Sequence, residues 1–290
     1  MTALATEKLL AAALAACRRA GAIHREHFRS AELSVEKKVD ATPVTQADRG
    51  AEEAIRETLR RATPELGLLG EEFGQEGDER DRWVIDPLDG TKNFVAGLPW
   101  FATLLGLELD GELVLGAVHA ALLGENGETW CAARGAGAWA GKGTDLATCR
   151  ERRLRVSATA TLEDAFLQHG GLVYFQRTGL WPAFSGIVAR AGRTRGFGDW
   201  WGHMLVAEGR CDAMLEGTVA YHDVAAIRPI LEEAGGVFRT RSTEPLDAGF
   251  HGPVLSSNRA LEPELAALLG FNGSPPSADR SPRPARIPPP

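Results

Sequence analysis

From residue 4 to residue 29, Leu10, Leu14, Cys17, Gly21, His24 and Phe28 recur at three- and four-residue steps, with charges on the other side. This is the period of an amphipathic helix. His24 and His27 have HxxH spacing, but no Cys or carboxylate supports them, so they are read as helix surface or edge. A second helix spans about 45–61, with Ala47, Ala51, Ala54, Ile55, Thr58 and Leu59 inward. Thr45 is a good N-cap. Asp48 at the third helical position suits a capping box and the positive helix end.

Short apolar runs follow. Residues 66–70 end in Glu71-Glu72, and Trp83-Val84-Ile85 ends in Asp86. Each reads as a buried strand with carboxylates at its end. Residues 102–109 and 112–120 are strand-like, and Asp110-Gly111 between them is a hairpin turn signal. A third strand lies near 129–133. Residues 134–138 read as a turn, because their glycines lack the GxGxxG spacing and strand–helix setting of a nucleotide loop. Helices packed on an antiparallel sheet are the expectation for this half.

Residues 141–161 have few large apolar groups and mark a candidate boundary. The chain is thus expected to divide into an N-terminal half, 1–150, a C-terminal α/β half, 151–271, and a tail, 272–290. The second half begins a more alternating pattern at 162–173. Helices are expected at 180–191, 199–208 with Asp199 as N-cap, 223–234 closed by Gly235-Gly236, and 262–269. Strands are expected at 193–197, 211–215, 237–239 and 253–257. The tail is rich in Pro, Ser and Arg without a hydrophobic pattern, and its composition is that of a disordered segment.

Composition narrows the classes. Hydrophobic residues at 44% and charged residues at 24% of 290 are ordinary for a soluble globular chain. A net charge of −7 offers no general attraction to nucleic acid or an anionic membrane. An anionic substrate would need local positive charge, which a bound metal supplies. Cys17, Cys131, Cys149 and Cys211 form no CxxC pair, which argues against structural zinc and a disulfide framework. No signal peptide is recognised, and no apolar run approaches the roughly 18 residues of a membrane span. A cytoplasmic protein is expected.

The chemistry concentrates in WVIDPLDGTKNF, residues 83–94. Asp86 and Asp89 stand three residues apart across a bend, with the Leu88 carbonyl between them. Oxygen donors of this kind suit Mg²⁺, which is held by one or two carboxylates plus substrate phosphate oxygens. Gly90 and Thr91 open a helical turn whose free N–H groups suit an anion. By itself a DxxDG string is better read as a turn.

The longer string resembles the DPxDGTxNF signature of the inositol monophosphatase family of Mg²⁺-dependent phosphatases. VTQAD at Asp48, GEE at Glu71 and the EGTVAYHDVAA stretch from Glu216 match in order, so the resemblance covers about residues 5–270. It implies an α/β fold, the layered α/β/α/β/α sandwich of the sugar phosphatases, usually a homodimer inhibited by Li⁺. It implies that Glu71, Asp86, Asp89, Asp223 and the Leu88 carbonyl hold two or three Mg²⁺. Asp48 and Thr91 then orient the attacking water. Gly90 and Thr91 bind the phosphate together with Asp89 and Asp223, and Glu216 contacts the alcohol part of the substrate. Glu72 takes a lesser role, and Lys37 or Lys38 matches a basic residue near the outer metal. His222 replaces the tryptophan of the family's WDxAA string.

Residues 198–215, with DVAAIRPILEEAGGVF from Asp223, are similar to the histidinol-phosphate phosphatases of this superfamily. There Asp199 either caps its helix or faces an amine or imidazole of the substrate. The reaction implied is hydrolysis of L-histidinol phosphate to L-histidinol, in histidine biosynthesis. Inositol 1-phosphate, another sugar phosphate, or a regulatory role of the same fold through a partner are the alternatives.

Overall fold

The computed structural model describes residues 3–31, 33–37, 43–241 and 246–271. The expected tail, 272–290, lies outside the described residues, as does Lys38.

An eight-stranded sheet runs, in spatial order, Arg152–Arg153, Gly137–Lys142, Glu128–Ala133, Glu112–Ala120, Ala102–Leu109, Arg82–Asp89, Gly67–Gly70 and Gly74–Glu76. Period-two alternation gives it two buried faces. Trp83, Ile85, Leu105, Leu107 and Leu115 face the helices Ala3–His27 and Gln46–Ala62, where they meet Leu10, Leu14, Cys17, Ile55 and Leu59. Leu104, Val118 and Trp130 face the other way, against Trp200, Met204, Val224, Ile227 and Leu231. Those last residues belong to the helices Asp199–Ala207, Tyr221–Ala225 and Ile227–Glu233.

A five-stranded sheet closes over this middle helical layer, in the order Arg193–Arg195, Phe166–His169, Ala213–Ala220, His251–Ser257 and Val237–Thr240. Met214, Val254 and Phe238 point inward. Leu167, Leu215 and Leu255 point outward to Phe175, Phe184, Ile187 and Leu265 of an outer helical layer. The result is the α/β/α/β/α sandwich. The middle layer lies very close to the first sheet: a Cβ at Gly116 would stand 2.0 Å from the Ala226 carbonyl oxygen. The two small residues after Val224 let the segment behind Asp223 rest on sheet backbone. Among the described residues, no helix is long and apolar enough to cross a membrane.

Several expectations are corrected. The first sheet is mixed, because Gly67–Gly70 runs parallel to Arg82–Asp89. The signature strand does not stop at Asp86 but continues to Asp89 through a register shift between the two aspartates. Gly137–Lys142 is a strand whose glycines and alanines resembled a turn and linker. The strand expected at 211–215 is Ala213–Ala220, and the helix expected at 223–234 is divided at Ala226. His24 is not on the surface: it is fully buried, edge-on to Phe101 at 5.6 Å between ring centroids. Cys131 and Cys149, distant in sequence, bring their sulfurs to 3.6 Å as free thiols.

Candidate active site

The site forms where the signature strand ends and the second sheet's elements meet it. Asp86 is 1% exposed and its Oδ1 accepts the Leu88 N–H at 3.0 Å. The register shift lets the chain bulge, so Asp86 and Asp89 are both available beside the same turn. Gly90 takes φ 88°, where a side chain would be strained, and starts the short helix Thr91–Val95. Asp89 Oδ2 accepts the Trp200 N–H at 2.8 Å, so the helix of the second half fixes a carboxylate of the first.

Asp48 is reached from the other side. The Thr45 N–H and hydroxyl both donate to its Oδ2, at 2.8 and 2.6 Å, and the Thr45 hydroxyl oxygen accepts the Asp48 N–H, which completes the capping box. Its Oδ1 stands 3.0 Å from the Thr91 hydroxyl, which is also 3.0 Å from the Leu88 carbonyl oxygen. With the hydroxyl proton directed to one of these acceptors, the Thr91 oxygen retains lone pairs for a water. Glu71 follows the strand Gly67–Gly70, and its N–H donates to the Ile85 carbonyl at 3.1 Å. Parallel pairing thus sets Glu71 beside Asp86. Asp223 is the third residue of its helix, not the cap, and its Oδ2 accepts the Ala220 N–H at 2.7 Å. His222 Nε2 lies 3.2 Å from Asp223 Oδ1 and 3.8 Å from Glu71 Oε1.

These carboxylates repel one another. Burial first, then Glu71, Asp89 and Asp223, pushes Asp86 well above the ordinary carboxylate range. Burial, then Asp199 and Asp223, does the same to Asp89. Asp223 is raised by desolvation, offset in part by His222. Asp48 is raised by burial against the bonds from Thr45 and Thr91. A hard divalent cation relieves this repulsion, and an all-oxygen donor set fits Mg²⁺ better than a softer metal. Among the described residues, no three acidic, His or Cys side chains already stand as a finished cage. The fit therefore lies in donor chemistry and crowding.

The second sheet lines the opposite wall. Asp199 is not an N-cap: Gly198 precedes the helix, and Asp199 is its first residue at φ 52°, an unfavourable angle for a non-glycine. Its Oδ2 accepts from Asn93 Nδ2 at 3.1 Å, and its own N–H donates to Glu216 Oε1 at 3.1 Å. Although Asp199 sits at the exposed rim, crowding by protein and by Asp223 lifts its carboxyl to about 6, opposed by Lys92 and Asn93. Glu216, 5% exposed, is pushed up by burial and by Asp199. Trp100 stacks on Trp201 at 6.2 Å and meets the exposed Phe197 at 5.5 Å.

Sequence reasoning missed Asn93, which joins Asp199 to the Trp100 carbonyl. It also missed Glu52 and Arg56, a buried ion pair behind the Glu71 turn. Their signal was present: both charges fall on the buried face of an otherwise apolar helix stripe. The Lys37 side chain is not among those described.

The inositol monophosphatase family model matches residues 5–274. The histidinol-phosphatase of Streptomyces coelicolor is 40% identical, over 86% of this chain and 92% of its own. That of Mycobacterium tuberculosis is 39% identical, over 89% and 96%. The inositol-1-monophosphatase of Caulobacter vibrioides is 33% identical, over 88% and 98%. Among solved structures, the extragenic suppressor protein suhB from Bartonella henselae superposes with a TM-score of 0.77 at 31% identity, covering 89% of this chain and 96% of that one. By sequence and by fold, the chain belongs to the inositol monophosphatase family, metal-dependent phosphoric monoester hydrolases that act on small phosphorylated substrates.

Proposed function

We propose that this protein hydrolyses L-histidinol phosphate with Mg²⁺, two or three ions being held by Glu71, Asp86, Asp89, Asp223 and the Leu88 carbonyl. Bound there, the ions supply Lewis-acid activation of a water and charge neutralisation of the phosphate and leaving oxygen. Asp48 and Thr91 orient the water for attack on phosphorus. The Gly90 and Thr91 N–H groups hold the phosphate oxygens, since phosphoryl transfer depends mainly on positioning and charge stabilisation. Water adds to phosphorus, the ester P–O bond breaks, and the alcohol leaves with a proton.

The observation that carries the substrate choice is the pairing of Asp199 at the rim with the buried Glu216, beside Trp100, Phe197 and Trp201. Carboxylates beside aromatic faces suit an ammonium or imidazolium group, which an inositol phosphate lacks. The two relatives named histidinol-phosphatase, at 40% and 39% identity, support the same reading. A working homodimer in the cytoplasm completes the proposal. Phosphate release from L-histidinol phosphate should require Mg²⁺ and stop with a chelator. Undiminished turnover in excess chelator would contradict the metal assignment.

A further inference from the structure

We propose that Glu52 is a positioning residue for Glu71, acting through the backbone of the turn that carries it; this rests on the reading of Glu71 as a metal ligand. Glu52 lies four residues after Asp48, on the same helix, and is fully buried. Its carboxylate takes the two backbone N–H groups that follow Glu71: Glu72 N–H donates to Oε2 at 2.7 Å, and Phe73 N–H to Oε1 at 3.3 Å. Arg56 holds that carboxylate from behind, with Nε donating to Oε1 at 2.7 Å. Arg56 also reaches past the turn, donating to the Gly74 carbonyl at 2.5 Å and to Glu76 Oε2 at 3.1 Å. The turn is thus gripped at Glu72, Phe73, Gly74 and Glu76, immediately after Glu71.

The packing is close at Gly70 as well. A Cβ at Gly70, the residue before Glu71, would fall 1.9 Å from Glu52 Oε1 and 2.8 Å from Arg56 Nη2. Meanwhile the Glu71 N–H is tied to Ile85, next to Asp86. Strand pairing therefore sets where Glu71 begins, and Glu52 sets the direction in which its turn leaves. One helix face so fixes two parts of the site, Asp48 directly and Glu71 through the turn. An apolar residue in place of Glu52 would leave the Glu72 and Phe73 N–H groups without this acceptor and take this partner from the buried Arg56 charge. Groups that orient a metal ligand without touching the metal are worth about 10–100-fold in metal affinity or activity.

The test is a double-mutant cycle read by calorimetric Mg²⁺ binding without substrate, on the full chain, with circular dichroism and thermal melts confirming the fold. Glu52→Gln should weaken Mg²⁺ binding about 10–100-fold. Because it acts through Glu71, it should change affinity by less than about twofold in a Glu71→Gln background. Glu52→Asp keeps the charge facing Arg56 on a shorter stem and should restore part of the affinity. It also carries the same cycle if Glu52→Gln does not fold. A folded Glu52 variant with unchanged affinity, or with equal losses in both backgrounds, overturns the proposal. Unchanged Mg²⁺ binding by Glu71→Gln alone overturns instead the ligand reading beneath it.

Discussion

Asp86 and Asp89 come from one strand end and share one turn, while Asp199, Glu216 and Asp223 come from two helices and a strand of the second half. Asp86 is held by a local bond from the Leu88 N–H, whereas Asp89 takes the Trp200 N–H of the second half, and Thr91 joins their turn to Asp48. In the second group Asp223 takes the nearby Ala220 N–H, whereas Asp199 is tied to Asn93 and Glu216, remote in sequence. On the proposed reading, Asp86 and Asp89 of the first sheet, together with Asp223, hold the metal that every phosphate monoester needs. On the same reading, Asp199 and Glu216 meet the part of the substrate that differs between monoesters. Lesions at Asp86, Asp89 or Asp223 should abolish turnover of all substrates, and lesions at Asp199 should re-rank them.

The largest effect is expected at Asp86. Asp86→Asn removes a charged donor and should lower kcat/KM by more than the roughly 100-fold typical of a merely supporting residue, on every phosphate tested. Steady-state kinetics over a Mg²⁺ series checks this, and near-normal turnover at low Mg²⁺ would refute it. Asp48→Asn should lower kcat by about 10²–10⁴, the range of a proton-handling group. Unlike Asp86→Asn it should leave calorimetric Mg²⁺ binding close to wild type.

Asp199→Asn sharpens the comparison. It should raise KM for a cationic substrate about 10–100-fold, as loss of a charge-assisted hydrogen bond does, and leave inositol 1-phosphate turnover unchanged. The pH dependence has a definite sign. Asp199 is raised to about 6, so it is charged above that pH and neutral below. Recognition of a cation should hold above about pH 6 and weaken as pH falls through it. The same KM profile measured with Asp199→Asn should lose that component, whereas an identical profile would assign the titration elsewhere.

The smallest effect lies where the two halves touch. Gly116→Ala places a Cβ against the Ala226 carbonyl and should cost about 1–3 kcal/mol through overpacking, read as a fall of a few degrees in Tm. The displaced segment carries Asp223, so Mg²⁺ binding should weaken as well. A normal Tm would mean that the layers slide more freely than their close contact implies.

Legibility in the sequence follows the same division. Asp86, Asp89 and Thr91 were readable because their geometry is made within one short string. Asp48 was readable because a capping box is local, and the structure closes it with both bonds. Strands 102–109 and 112–120 were readable because Asp110 and Gly111 both adopt positive φ, as a tight hairpin requires. Strand Gly137–Lys142 was not, because its glycine and alanine positions lack the usual strand residues and depend on pairing with Glu128–Ala133. Asp199 looked like a helix cap because its partners, Asn93 and Glu216, are remote in sequence. His24 looked like surface because the aromatic residues that cover it, Phe94 and Phe101, lie in another part of the chain.

The central claim, that the second wall selects a cationic alcohol phosphate, is tested by one ratio. It is kcat/KM for L-histidinol phosphate over that for inositol 1-phosphate, at saturating Mg²⁺ and neutral pH. The ratio should be at least about ten in the wild type and fall toward one in Asp199→Asn. A wild-type ratio at or below one would contradict it and leave only the metal chemistry standing.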